Sequence, residues 1–135
     1  ETDVGGVLHE AAERTKRRGV IIVISDLIDN EESIASGLGH FRHNNHEVIV
    51  FHTMDPAELD FPYDRLTRFK DMEGAGRVVA NPKSLRRRYL SRINQFTEQV
   101  KRDCFERRIS YELCDTSQPY DKFLAAYLDK RSRIF

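Results

Sequence analysis

The chain has 135 residues, with 22 Lys plus Arg against 22 Asp plus Glu, so its formal net charge is zero. This balance argues against general binding to nucleic acid or to an anionic membrane surface. Charged residues make up 33% and hydrophobic residues 39% of the sequence, which is typical of a soluble globular protein and not of a disordered one. No apolar run approaches the roughly 18 residues of a membrane span, and no signal peptide is visible.

The length favours one domain over residues 1–135. The two cysteines, Cys104 and Cys114, show no metal or redox spacing. This usage favours free thiols in a reducing compartment, and we therefore expect a cytoplasmic protein. The first residue is not Met, and the chain opens within a helical pattern, so we expect a fragment of a longer protein.

The first part of the chain alternates between helical and strand patterns. Apolar residues at helical spacing predict a helix over about residues 3–18, whose last turn is basic. The apolar, β-branched run Val20–Ser25 predicts a strand that is buried on both faces of a parallel sheet. A second helix is predicted to begin at Asp29 with a capping box. Gly37 and Gly39 are expected to weaken that helix.

The remaining elements complete an α/β pattern. Strand, helix and strand within about 30 residues predict a right-handed βαβ unit. We therefore predict a three-layer, Rossmann-like α/β fold with helices on both faces of a mostly parallel sheet, together with a short β-hairpin. The elements after the second helix are a strand at Val48–His52, a hairpin at Leu66–Ala80, a helix from Pro82 to about Arg107, a strand at Tyr111–Cys114 and a last helix opened by Pro119.

Apolar stripes predict which sides of the last two helices face the core. The long helix carries its stripe at steps of three and four residues, at Leu85, Tyr89, Ile93, Phe96, Val100 and Cys104. The last helix is predicted to bury four side chains, those of Phe123, Leu124, Tyr127 and Leu128.

Polar residues follow the first predicted strand at the edge where open α/β sheets bind ligands. Ser25 and Asp26 come at its carboxyl end, and Asp29 follows within the same acidic segment. Hydroxyl and carboxylate oxygens are ligands for a hard divalent cation such as Mg²⁺. The alternative is that Asp26 caps the loop that follows the strand, and the spacing leaves both interpretations open.

A second candidate site consists of histidines. A three-residue spacing can place two imidazoles together on a helix, as zinc requires, but no cysteine or carboxylate completes the set. The alternative is that histidines near the C-terminus of a helix complement its dipole. The four residues concerned are His40, His43, His46 and His52.

The strand and the residues around it resemble a known family. Val20–Asp26 is similar to the strand of von Willebrand factor A domains that ends in the last aspartate of the metal-ion-dependent adhesion site. More narrowly, the chain resembles the prokaryotic domain-of-unknown-function family 58 along nearly its whole length. The stretches that carry this resemblance are Arg18–Leu27, His46–His52, Asp55–Leu59, Asp71–Glu73 and Leu85–Tyr89, followed by Thr116 before Pro119 and by Tyr127–Arg131.

The resemblance implies a metal site of which this chain holds only a part. The adhesion site of such domains is a D-x-S-x-S motif, then a threonine, then an aspartate. Asp26 matches the aspartate and Thr2 the threonine, whereas the D-x-S-x-S motif would lie upstream, so the chain corresponds to the C-terminal portion of the domain. An incomplete ligand set holds a hard cation poorly. We therefore expect no cofactor in this chain, and Mg²⁺ in the intact protein.

The resemblance also implies a function. It suggests a non-catalytic protein-interaction module that works with a MoxR-type AAA+ ATPase in the assembly or maturation of other proteins. A partner's carboxylate would fill the open position on the metal ion, with Ser25, Asp26 and Asp29 at the contact. The first alternative is a metal-dependent phosphohydrolase or phosphotransferase that uses Asp26, Asp29 and Asp55 around one ion. The second alternative is a purely structural domain.

A last expectation concerns association. If upstream strands are missing, the strand at Val20 has an unpaired edge, which is a template for pairing with another chain. The same loss would uncover the apolar side chains of Ile22 and Ile24. We therefore expect a homodimer that forms through this edge by two-fold pairing.

Overall fold

Three parallel strands and four helices make up the part of the chain that the structure describes. This computed structural model describes residues 3–55 and 82–134. In chain order the elements are α1 (Val4–Arg14), β1 (Val20–Ser25), α2 (Glu31–His43), β2 (Glu47–Met54), α3 (Pro82–Glu106), β3 (Ser110–Asp115) and α4 (Tyr120–Ile134). The predicted α/β fold, with helices around a parallel sheet, is confirmed. The predicted hairpin at Leu66–Ala80 and the candidate ligand Thr2 lie outside the described residues.

The sheet has the strand order β1-β2-β3, and both pairings are parallel. The register of the first pairing places Ile24 beside Phe51, so these two side chains share a face of the sheet. Because side chains alternate along a strand, Val50 points to the opposite face. The central strand β2 is buried on both faces, as expected for an apolar run in a parallel sheet.

Helices cover the two faces of the sheet unequally. The helices α1, α2 and α3 contribute apolar side chains to one core with Val50. The helix α4 lies on the other face, where the rings of Phe123 and Tyr127 meet Phe51 edge-on at 5.3 and 5.0 Å between ring centroids. Two ion pairs tie α4 to the sheet, Lys130 with Glu112 and Arg131 with Glu47.

The helix α1 is shorter than the sequence predicts, because it ends at Arg14. At the next residue, Thr15, the backbone is extended, and both the amide and the hydroxyl donate hydrogen bonds to the carbonyl of Ala11. Such a side-chain bond competes with continuation of the helix. The basic residues Lys16, Arg17 and Arg18 therefore follow the helix and do not form its last turn.

The helix α2 begins later than predicted. Its N-cap is Asn30, whose side-chain oxygen accepts a hydrogen bond from the Ser33 amide at 3.0 Å. The prediction that Asp29 begins this helix is wrong. The carboxylate of Asp29 accepts a hydrogen bond from the backbone at the start of α1, and that bond commits it to a different helix.

The strand β1 has one exposed face, which corrects the prediction that both of its faces are buried. The exposed fractions of Val20, Ile22 and Ile24 are 53%, 54% and 68%, while Ile21 and Val23 on the other face are half-buried. The physical reason lies in the layers. On the exposed face, α4 packs its rings over Phe51 of β2, and β1 is an edge strand of the described sheet.

The apolar stripe of α3 is confirmed, because its six side chains are all buried or half-buried. The prediction for α4 is only partly correct. Phe123 and Tyr127 are half-buried because, four residues apart, they share the helix face that meets Phe51. Leu124 and Leu128 lie about 100° further round the helix and are 39% and 60% exposed. Across residues 3–55 and 82–134, no helix is long and apolar enough to cross a bilayer.

Candidate functional site

The loop after β1 presents the predicted site at the carboxyl end of the strand. Ser25 is half-buried, and its hydroxyl oxygen accepts a hydrogen bond from the amide of Leu27 at 3.0 Å. Asp26 is exposed, and its Oδ1 accepts a hydrogen bond from the amide of Ile28 at 3.2 Å. Both side chains thus cap the turn. Among the described residues, none forms a hydrogen bond with Oδ2 of Asp26.

Leu27 fixes the path of this loop. Its φ angle of 57° lies in the left-handed region, which costs energy for a residue with a side chain. Its side chain is fully buried in the core with α1 and α2. Burial of a leucine side chain stabilises by about 1.5–3 kcal/mol, which is enough to hold one residue in this conformation. The loop therefore turns sharply with Asp26 on the outside.

His52 anchors the backbone of Asp26 from the neighbouring strand. Its Nε2 lies 3.0 Å from the carbonyl oxygen of Asp26, and its Nδ1 lies 2.6 Å from the hydroxyl oxygen of Tyr111. A carbonyl only accepts, so we infer that Nε2 carries the proton and that Nδ1 accepts from the tyrosine. Burial raises the pKa of Tyr111 well above its usual range, which keeps this donor protonated. Three parallel strands are thus linked through one buried imidazole.

Asp29 connects the same loop to the start of α1. Its Oδ2 accepts hydrogen bonds from the amides of Val4 at 2.7 Å and Gly5 at 3.3 Å, and its Oδ1 accepts one from Asn30 at 2.7 Å. The bond from the Asn30 amide, followed by that from Gly5, lowers the pKa of Asp29. A carboxylate at a helix N-terminus also complements the helix dipole. Asp29 therefore caps the N-terminus of α1, although it lies on a loop that is distant from this helix in sequence.

The predicted ligands are only partly brought together. Ser25, Asp26 and Asp29 share one loop, and Asp55 is exposed immediately after β2. Within residues 3–55 and 82–134, no three or more His, Cys, Asp or Glu side chains are grouped so that they could hold a metal ion. Thr2 lies outside those residues, so its role as a ligand stays a prediction.

The four histidines proposed from spacing as a zinc site are separated in the structure. His40 lies against His9 of α1, and His52 lies between Asp26 and Tyr111. His46 is buried, and its Nδ1 accepts a hydrogen bond from the amide of Gly19 at 3.1 Å. Its Nε2 has no hydrogen-bond partner among the described residues. The spacing-based zinc hypothesis is therefore wrong for this set.

Sequence reasoning missed His9 and Tyr111. His9 lies 31 residues before His40, and Tyr111 lies 59 residues after His52. No local periodicity relates residues at such separations. A signal exists for Tyr111 alone, because it opens a predicted strand, and the hydroxyl of a tyrosine that becomes buried usually requires a hydrogen-bond partner.

Comparison with known proteins places the chain in a family. No curated protein and no solved structure matches the sequence. A family model described as "Protein of unknown function DUF58" matches residues 1–99. Because this match spans most of the 135 residues, the protein belongs to that family.

Proposed function

We propose that the chain is a non-catalytic protein-interaction module, the C-terminal part of a von Willebrand A-like domain with a metal-ion-dependent adhesion site. Its proposed partner is a MoxR-type AAA+ ATPase, with which it acts in the cytoplasm in the assembly or maturation of other proteins. The observation that carries this proposal is the position of Asp26, an exposed carboxylate at the carboxyl end of a parallel strand.

The surroundings of Asp26 support this role. Its backbone is fixed by His52, and the turn that follows is fixed by the buried side chain of Leu27. A rigid support matters because a ligand must hold its geometry when the metal and the partner bind. Asp26 alone is a weak site, and the remaining oxygen ligands, which by resemblance include Thr2 and a D-x-S-x-S motif, would complete the coordination of Mg²⁺.

The enzyme alternative, a metal-dependent phosphohydrolase or phosphotransferase using Asp26, Asp29 and Asp55, receives less support. Both carboxylate oxygens of Asp29 accept backbone hydrogen bonds. Two of these three bonds come from amides at the N-terminus of α1. These three bonds use three of the roughly four lone-pair sites of the carboxylate, which leaves little of it for an ion. The adhesion role does not meet this limit, because Asp26 faces outward.

The proposal is tested with Asp26→Asn in the full-length protein. Asparagine keeps the oxygen that accepts from the Ile28 amide but removes the charge that Mg²⁺ requires. We expect binding to the ATPase, followed by biolayer interferometry, to weaken at least about tenfold in Mg²⁺. In EDTA the variant and the wild-type protein should bind equally weakly. The free energy of unfolding should change by less than about 0.5 kcal/mol, as for substitutions away from packing.

Asp115→Asn is the matched control. Asp115 ends β3, and its Oδ1 accepts hydrogen bonds from the amide and the hydroxyl of Ser117 at 2.9 and 2.7 Å. It is thus an aspartate in a similar turn at the same edge of the sheet, two strands away from Asp26. Binding that Asp26→Asn leaves unchanged would refute the adhesion role. Mg²⁺-dependent phosphoester hydrolysis lost in the variant would favour the enzyme instead.

A further inference from the structure

Two histidines from different helices meet on the side of the α1–α2 pair. Nδ1 of His9 on α1 lies 3.0 Å from Nδ1 of His40 on α2, and the ring centroids are 5.2 Å apart. Both rings are half-buried, so solvent and ions reach them. Ser36, one turn before His40 on α2, places its hydroxyl oxygen 3.2 Å from Nε2 of His9.

The hydrogen-bonding pattern determines which nitrogen has a free lone pair. Two Nδ1 atoms at this distance share one proton, so one ring donates and the other accepts. When His9 donates from Nε2 to the hydroxyl of Ser36, its Nδ1 carries the lone pair, and His40 is the donor. If His40 moves its proton from Nδ1 to Nε2, both Nδ1 lone pairs face the same point. No net proton is lost in this change of tautomer.

We propose that His9 and His40 form a binding site for a divalent transition metal ion of the class that prefers imidazole, represented by Zn²⁺. A tetrahedral zinc ion with Zn–N bonds of about 2.0–2.1 Å separates two ligand nitrogens by roughly 3.3 Å. The observed nitrogens are 3.0 Å apart and face each other in line, since the ring centroids are 5.2 Å apart. Each ring must therefore turn by roughly 35° to point its lone pair at a tetrahedral ion, while the distance between the two nitrogens changes little. Water molecules complete the coordination.

The contact with Ser36 strengthens the assignment. A histidine that binds a metal ion almost always donates its other ring N–H to a hydrogen-bond acceptor, which fixes its tautomer and orientation. The hydroxyl oxygen of Ser36 lies 3.2 Å from Nε2 of His9 and would be that acceptor in the metal-bound tautomer. The site is independent of the proposed Mg²⁺ site, because imidazole nitrogen and carboxylate oxygen suit different classes of ion.

The ion would cross-link α1 and α2, because each helix contributes one ligand. The two helices are already joined near the start of α1, where Asp29 from the loop before α2 caps the helix. A metal ion at His9 and His40 adds a second connection between them that exists only in the folded state. Binding to the folded state alone raises the free energy of unfolding, and with it the Tm, by an amount that grows with the logarithm of the free ion concentration above Kd.

The test is calorimetric titration with ZnCl₂ of the protein without an affinity tag, together with thermal unfolding. We expect one ion per chain, and a higher Tm in zinc. His9→Asn and His40→Asn should each weaken binding at least about tenfold and abolish the rise in Tm. His43→Asn, which changes an exposed histidine on the same helix, should bind like the wild-type protein.

A second measurement decides the matter if a histidine variant does not fold. In a long-range ¹H–¹⁵N spectrum of the wild-type protein, zinc should shift the Nδ1 signals of His9 and His40 and leave His43 unchanged. Ser36→Ala keeps both ligands and should weaken binding by about tenfold. The absence of zinc binding, or binding that changes neither ring signal, would overturn the proposal.

Discussion

At the scale of single residues, buried polar contacts from distant parts of the chain hold the loop after β1. His52 has no exposed surface, and its two ring nitrogens meet the carbonyl of Asp26 and the hydroxyl of Tyr111. A buried polar group costs free energy when its hydrogen bond is removed. The position of Asp26 therefore depends on a tyrosine two strands away.

Tyr111→Phe should destabilise the protein by about 1–3 kcal/mol, because the buried imidazole of His52 loses this donor while the ring still fills its space. Urea unfolding followed by circular dichroism measures the change. Tyr120→Phe is the control, because Tyr120 is 78% exposed. Equal stabilities of the Tyr111→Phe and Tyr120→Phe variants would show that the bond to His52 contributes nothing.

Asp29 should make stability depend on pH. Its pKa is lowered in the folded state by backbone hydrogen bonds from Asn30 and Gly5. A lowered pKa contributes stability that is present above the unfolded value of about 3.9 and is lost as the pH falls through the folded value. We expect Asp29→Asn to lower the Tm at pH 7 and to reduce the fall in Tm on acidification below about pH 4.

The control for this prediction is Glu13→Gln, which removes an exposed carboxylate from the last turn of α1. Its Tm should follow the wild-type curve at every pH. A wild-type acid transition that Asp29→Asn leaves unchanged would contradict the capping role of this carboxylate.

At the scale of elements, glycines allow α1 and α2 to approach each other closely. A Cβ atom at Gly37 would lie 2.7 Å from Cβ of Leu8, and one at Gly5 would lie 2.9 Å from the backbone oxygen of Ser33. Such distances are too short for carbon contacts. Gly37, which by helix propensity alone should weaken α2, is thus required by packing.

Gly37→Ala should destabilise the protein. Overpacking a tight contact costs about 1–3 kcal/mol, which outweighs the gain of about 1 kcal/mol that alanine gives over glycine in a helix. Gly39→Ala is the matched control on the same helix, because its Cβ would lie 3.4 Å from Nε of Arg107, a flexible side chain. We expect that variant to be neutral or up to about 1 kcal/mol more stable.

Chemical denaturation of both glycine variants provides the measurement. If both gain stability equally, helix propensity decides at each site, and the close approach of α1 and α2 is relaxed easily. If both lose stability, the contact at Arg107 is tighter than its flexible side chain suggests.

At the scale of the whole molecule, two features of β1 favour association with another chain. It is an edge strand of the described sheet, and one of its faces is apolar and exposed. Val20, Ile22 and Ile24 lie along that face, and Leu128 of α4 is 60% exposed. An apolar edge strand is a template for pairing with another chain. The homodimer expected from the sequence stays a prediction, and β1 is the surface at which we expect it.

Multi-angle light scattering at tens of micromolar tests this association. We expect a dimer for the wild-type protein and a monomer for Ile24→Lys, because a charge on the exposed face opposes burial. Val7→Lys is the control, since Val7 is 64% exposed on α1 and lies away from the sheet. A wild-type monomer, or dissociation caused equally by Val7→Lys, would refute pairing through β1.

The sequence by itself determined the elements and their class. β-branched runs predict β1 and β2, the stripe from Leu85 to Cys104 predicts α3, and the resemblance to the DUF58 family is confirmed over residues 1–99. These features are local or periodic, so the order of residues is sufficient to find them. The stretches at Thr116 and Tyr127–Arg131 lie beyond the matched residues, and their part in the resemblance stays a prediction.

Only the tertiary structure decided which polar groups meet. The carboxylate of Asp29 bonds the amide of Val4, 25 residues earlier, and not the helix that directly follows it. His40 meets His9 and not His43, although His43 is the closer of the two in sequence. The exposure of Ile24 likewise depends on which element covers that face of the sheet. Packing between elements sets these directions, because a side chain's partner is chosen by three-dimensional distance, which spacing along the chain does not encode.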